Sequence, residues 1–247
     1  MKLHSLPWKV FWCLVAVEVV LAGMHVLVTW APAGTCIRPT LAMFDLGQEG
    51  NLPTWFSAAQ FLLLGLVLGA IYLLERRRHP EKPLILCWLA LALGALFLSA
   101  DEAAQIHEWI GAQLSHTIEH ANPRSWVARL ILFPSYYWVL IYAPIGLPLA
   151  AVVARFLWRQ LGPARGPSTA GILLFLAGAV GLDYAEGRYR SGPSPFLWHM
   201  DVFLVEEMAE MLGVTLVLTA CLVHTVRLLD PAGGSGDLSR AAIPADP

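Results

Sequence analysis

Charged residues make up only 14% of this 247-residue chain, against about 25% in average soluble domains. That shortage excludes an ordinary water-soluble domain, whose surface needs charge. The formal net charge is −2, so there is no basic excess for nucleic acid, and no nucleic-acid partner is expected. Four cysteines are present and none forms a CxxC pair. Neither a cysteine zinc site nor a disulfide framework is therefore supported. Cys13, Cys87 and Cys221 lie in apolar runs, as small packing residues. No internal repeat is visible, so the inverted-repeat signature of many transporters is missing. The strict Glu-x-x-His pattern of bundle-type carboxylate metal proteins is missing as well.

What is present is apolar. Hydrophobic residues reach 57% and the mean hydropathy is +0.60. Ten Trp and six Tyr suit anchoring at a membrane interface. Six stretches match the roughly 20 apolar residues that cross a bilayer: near 10–30, 55–75, 84–106, 126–154, 169–186 and 197–225. The first follows Lys2 and Lys9 and ends near Ala31-Pro32-Ala33, like a signal peptide. Its apolar run exceeds the roughly 7–15 residues of a signal core, so it reads as a retained helix. The fourth carries Pro134 and Pro144 and is expected to kink or break.

Lys and Arg fix the expected orientation. Lys2, Lys9, Arg76, Arg77, Arg78, Lys82, Arg155, Arg159, Arg165, Arg227 and Arg240 fall on one side, and Arg38, Arg124, Arg129, Arg188 and Arg190 on or toward the other. The expected architecture is an all-α, polytopic bundle of six transmembrane helices, with both termini cytoplasmic. Residues 1–229 form the membrane domain. Residues 230–247, rich in Gly, Pro, Ser and Ala, form a disordered cytoplasmic tail. The bilayer is the main partner, and a membrane-protein partner is the alternative use of a polar outer face.

The acids are informative because of where they fall. In "VFLVEEMAEMLGVTLVL", residues 202–218, Glu206, Glu207 and Glu210 interrupt an otherwise apolar span. With Glu207 at zero, Glu210, His199 and Glu206 fall at about −60°, −80° and −100°, one face of a helix. Facing lipid, such a stripe costs several kcal/mol per charge, so it must face the bundle interior or a wet cavity. In "FLSADEAAQIHEWIG", residues 97–111, a continuous helix aligns Asp101 with Glu108 and flanks them with Glu102 and His107. Asp183 and Glu186 are neighbours near the end of span five. By count along the helices, the acids of spans three, five and six share a layer in the outer half of a roughly 30 Å core. Glu18 and His25, seven apart, share a face of span one.

Clustered Glu and His suit a divalent metal ion: zinc, iron or manganese. The expected ligands are Glu206, Glu207, Glu210, Asp101, Glu102, His107 and His199. Glu207 and Glu108 are the candidates for acid–base work in a metal-dependent hydrolase or oxidoreductase acting on a membrane-associated substrate. Asp45, Glu49 and Asn51, in the loop before span two, are placed to act as a lid. "HTIEH", residues 116–120, has the spacing of inverted zincins, but the match is short. An alternative is a proton- or cation-coupled transporter, with Glu18, His25, Asp183 and Glu186 as a relay. A third is an accessory or assembly subunit.

"FDLGQEGNLPTWFS", "LSADEAAQIHE" and "VEEMAEMLG" together resemble a family of uncharacterised bacterial multi-span membrane proteins. The likeness covers most of residues 44–213, and it implies a multi-pass protein of the bacterial inner membrane. The Glu206-Glu207 pair also resembles the double glutamate of CAAX-processing and bacteriocin-processing intramembrane proteases. Those carry EExxxR, whereas Met211 stands at the position of the basic residue here.

Overall fold

The computed structural model describes residues 3–30, 38–133, 135–190 and 196–230, with the side chains of 38–39, 188–190 and 196–201 outside the description. Among the described residues all regular structure is helical: α1 (Leu6–Trp30), α2 (Arg38–Leu41), α3 (Leu52–Arg78), α4 (Ile85–Ala104), α5 (Ile106–Glu119), α6 (Val139–Gln160), α7 (Arg165–Leu176), α8 (Asp183–Arg190) and α9 (Phe196–Leu229). A π-helical turn, Ala177–Leu182, joins α7 to α8. Among the described residues six helices are long and apolar enough to cross a membrane: Leu3–Trp30, Leu52–Arg78, Ile85–Ala104, Val139–Gln160, Gly162–Gly187 and Val202–Leu229.

Helix α9 is the centre of the bundle, packed against α1, α3 and α7. Its apolar side meets α3, α4 and the end of α6 through Phe61, Leu68, Ile71, Trp88, Leu157, Leu218 and Cys221. Small residues set the closest approach, as they do where membrane helices touch backbone to backbone. A Cβ at Gly171 of α7 would stand 2.6 Å from the Gly213 carbonyl oxygen of α9. His4 Nε2 lies 3.3 Å from Asp230 Oδ2, so both described chain ends meet at one end of the bundle. The acids of interest lie toward the other end.

Local signals explain several boundaries. Asn51 caps α3, accepting from the Thr54 amide at 3.2 Å, and Pro53 occupies the first turn, where its missing N–H costs nothing. Arg76, Arg77 and Arg78 end the same helix, favourably placed for its dipole. Two expectations need correcting. The fourth span does not begin at 126: residues 127–132 form a 3-10 turn, and the helix starts at Val139 with Pro144 and Pro148 inside it. Pro134 lies outside the described residues. The third span ends near its expected limit, but the helix expected to run on through 111, aligning Asp101 with Glu108, is broken. Gln105 takes a left-handed conformation, φ 54°, and divides α4 from α5.

Candidate functional site, a carboxylate basin

The break at Gln105 reorganises the "ADEAAQIHE" segment. A continuous helix would put Asp101 over Glu108; instead the turn brings His107 back to Asp101. His107 Nδ1 lies 3.0 Å from Asp101 Oδ2. The Tyr142 hydroxyl of α6 donates to the other carboxylate oxygen at 3.0 Å. Asp101, itself buried, thus ties α4, α5 and α6 together. Trp138 packs edge-on against His107, with ring centroids 5.2 Å apart. Burial is the strongest single influence on the His107 imidazole and opposes its charge. The bond to Asp101 and the charges of Asp101, Glu102 and Glu49 outweigh it, and His107 is held above its ordinary 6.5.

Five parts of the chain bring acids within electrostatic reach of one another. Glu102 of α4 interacts with Glu49, His107 and Asp101, and hydrogen-bonds Ser57 of α3. Glu207 of α9 interacts with Glu102, Glu49, Glu206 and Asp183. Glu210 adds Glu207, Glu102, Glu206 and Asp183. Asp183, on the first turn of α8, interacts with Glu186, His107, Glu108 and Glu49. Glu186 accepts a hydrogen bond from Tyr136. Asp183, Glu186 and Glu206 are buried, and Glu206 Oε2 has no hydrogen-bond partner among the described residues. Glu207 and Glu210 are half-buried, and Glu108 is exposed at the rim.

The π-helical turn helps set this spacing. An extra residue in the turn shifts the helix that follows, and such turns are frequent at functional sites. Gly178 within it sits against α9, where a Cβ would stand 2.7 Å from Glu210 Cγ and 2.9 Å from the Glu206 carbonyl oxygen. Glycine is what lets Asp183 come so near the α9 acids.

Residues 45–51 lie over one side. Asn51 Nδ2 donates to the carbonyls of Asp45 and Gln48 at 2.6 and 2.7 Å, and Gly47 rests on Phe203 of α9. His25 Nδ1 accepts from the Leu46 amide at 3.0 Å and stands 3.3 Å from Asp45 Oδ1. From this loop Glu49 reaches the basin. Partial withdrawal from water, then repulsion from Glu108, hold its carboxyl above the ordinary 4.5, against the opposing pull of His107 and hydrogen bonds from Gln105 and Thr54.

The structure therefore brings together Glu49, Asp101, Glu102, His107, Glu108, Asp183, Glu186, Glu206, Glu207 and Glu210. It places Asp45, Asn51 and His25 in the loop and its latch. Glu18 stands apart, bonded to Gln60 and Thr215. The His199 side chain lies outside the described residues. In the "HTIEH" segment the rings of His116 and His120 stack at 4.2 Å, and Ser115 bonds Glu119. Among the described residues, no three His, Cys, Asp or Glu side chains stand as placed in an arrangement that could hold a metal ion. Tyr142, Ser57 and Gln105 were not foreseen; the polar residues of an apolar span were the available signal, and they do not name their partners.

No curated protein and no solved structure matches the chain. A family model described as a domain of unknown function, DUF8692, matches residues 12–225, nearly the whole helical bundle. This multi-span membrane protein belongs to the DUF8692 family.

Proposed function

We propose that the basin binds a divalent cation, and that this cation-binding site is the functional centre of the protein. The carrying observation is the charge balance. Glu49, Glu102, Asp183, Glu206, Glu207 and Glu210 interact across four chain segments, and His107 is the basic side chain among their described electrostatic partners. Acids gathered in a low-dielectric interior repel one another and lose hydration. A cation relieves both penalties at once, and a carboxylate-rich set with one imidazole favours manganese or iron, with zinc as the third choice. Glu102, Glu207 and Glu210 are the first candidates as ligands, with His107, Asp101 and Glu206 beside them.

The acids stand near one another without converging on one point, so this reading requires them to close around the ion. Asp101 orients the His107 imidazole through Nδ1, leaving Nε2 as the nitrogen to face a ligand, the usual division of labour when a carboxylate supports a metal-binding histidine. Glu49 approaches from the loop. Glu108, exposed at the rim, is the carboxylate best placed to exchange protons with a membrane-associated substrate, and Glu207 is the second candidate. The Lys and Arg distribution supports an opening on the periplasmic side. Hydrolysis and redox chemistry both suit such a site. Calorimetric titration with manganese, iron(II) and zinc tests the reading. Saturable binding that weakens by about 10–100-fold or more in Glu207→Gln supports it; no saturable binding to the folded protein refutes it.

A further inference from the structure

A second group of polar side chains is buried among apolar helices, away from the basin. Glu18 of α1 and Gln60 of α3 are each 1% exposed, and Thr215 of α9 is fully buried. Three helices meet there. The Gln60 amide nitrogen donates to Glu18 Oε1 at 2.8 Å and to Thr215 Oγ1 at 2.7 Å. The Thr215 hydroxyl donates in turn to Glu18 Oε1 at 2.6 Å. Thr219, one turn further along α9, bonds the Thr215 carbonyl.

Counting protons across this group leaves a specific deficit. An amide group offers two N–H donors and a hydroxyl one, and all three are directed at Glu18 Oε1, Thr215 Oγ1 and the Met211 carbonyl. Two oxygens remain buried with no hydrogen-bond partner among the described residues: Glu18 Oε2 and Gln60 Oε1. Both are acceptors when the carboxyl is ionised. Reversing the Gln60 amide does not help, because it would set the amide oxygen against Glu18 Oε1. An ionised Glu18 would therefore leave two buried acceptors unsatisfied, one of them charged, at a cost that buried polar groups in proteins rarely carry. Among the described residues, no Lys, Arg or His interacts electrostatically with Glu18.

We propose that Glu18 is a proton-binding site: one proton on Oε2 is donated to Gln60 Oε1, closing a cyclic acid–amide pair with the Nε2-to-Oε1 bond already present. A single proton satisfies both orphaned oxygens and removes the charge. A metal or sodium ion fits less well, since cations of that kind need several oxygen ligands and the neighbouring donors point N–H and O–H hydrogens into the group. The bound proton holds α1 and α3 to α9. Thr215 lies five residues beyond Glu210 on α9 and about 140° around the helix from it, so the clamp grips the basin's central helix from another side. This site is independent of cation binding in the basin.

Infrared difference spectroscopy of the full-length protein in lipid, wild type against Glu18→Gln, reads the proton directly. The expected result is loss of one protonated-carboxyl C=O band with no loss of carboxylate bands. Loss of carboxylate bands overturns the proposal. Glu18→Gln keeps a donor where the acid O–H was, so its Tm should stay within about 2 °C of wild type, whereas Glu18→Ala should fall by several degrees. An equal fall in both variants counts against the acid–amide pair, as does a Tm that sodium raises in wild type and not in Glu18→Gln. Should Glu18→Gln not fold, Thr215→Val answers the same question. It removes one donor to Oε1, so a protonated-carboxyl band must move; a moving carboxylate band overturns the proposal.

Discussion

Gly178→Ala is the sharpest mechanical perturbation that the structure offers. A Cβ at 178 would stand 2.9 Å from the Glu206 carbonyl oxygen and 2.7 Å from Glu210 Cγ. The first is backbone and cannot swing aside, so the π-helical turn must move away from α9. Overpacking of this kind costs about 1–3 kcal/mol. Alanine returns about 1 kcal/mol of helix propensity over glycine, leaving a net loss of up to about 2 kcal/mol. For a chain of this size that corresponds to a Tm lowered by up to roughly 8 °C. Gly94→Ala is the control, because a Cβ there meets nothing within 4 Å, and its Tm should be unchanged or slightly higher. The same displacement carries Asp183 away from Glu206 and Glu210, so cation affinity should fall in Gly178→Ala and hold in Gly94→Ala. Thermal unfolding in detergent and titration calorimetry measure the two effects. If Gly178→Ala matches Gly94→Ala in both, the close approach of the π-helical turn to α9 does not organise the basin.

The spans were legible because about 20 apolar residues in a row leave few alternatives to crossing a bilayer. Their ends were less so. Nothing in "ADEAAQIHE" announces the break at Gln105: it contains neither Gly nor Pro, and alanine and glutamate favour continued helix. The left-handed residue is held by tertiary contact, since Gln105 bonds Glu49 from the loop and Asp101 recruits both His107 and Tyr142. In the fourth span, Val127–Leu132 is apolar enough to join a transmembrane run, yet it forms a 3-10 turn. Depth counting grouped the acids of spans three, five and six in one layer, because helical rise is fixed by geometry. It could not identify the π-helical turn, whose small residues "AGAVGL" read equally well as α-helix. Gln60 and Thr215 escaped notice for another reason. A single amide or hydroxyl in an apolar span has no periodicity of its own, and its meaning lies in partners 42 and 155 residues away.

Two further outcomes follow from the loop and its surroundings. Both Glu49 and His107 bind their protons more tightly folded than unfolded. Their stabilising contributions are complete below 4.5 and 6.5 respectively, and are lost as pH rises through the raised folded values. Tm should therefore fall as pH rises from 4.5 upward, with Glu49→Gln flattening the part that begins near 4.5; a wild-type Tm that rises through this window, and rises less in Glu49→Gln, contradicts the sign. Asn51→Ala removes the cap on α3 and two hydrogen bonds that fold the loop. It should lower stability by about 1–2 kcal/mol and speed proteolysis within 45–51; an unchanged Tm and an unchanged rate of cleavage there would contradict this role for Asn51.

The most direct test of the cation site is the metal content of the native protein. It should be purified without chelator and analysed by mass spectrometry beside Glu207→Gln and Glu210→Gln, with circular dichroism confirming that all three are folded. Stoichiometric manganese, iron or zinc in wild type, with most of it gone from both variants, is the predicted result. Folded wild-type protein as poor in metal as the variants would contradict the assignment of the basin as a cation site.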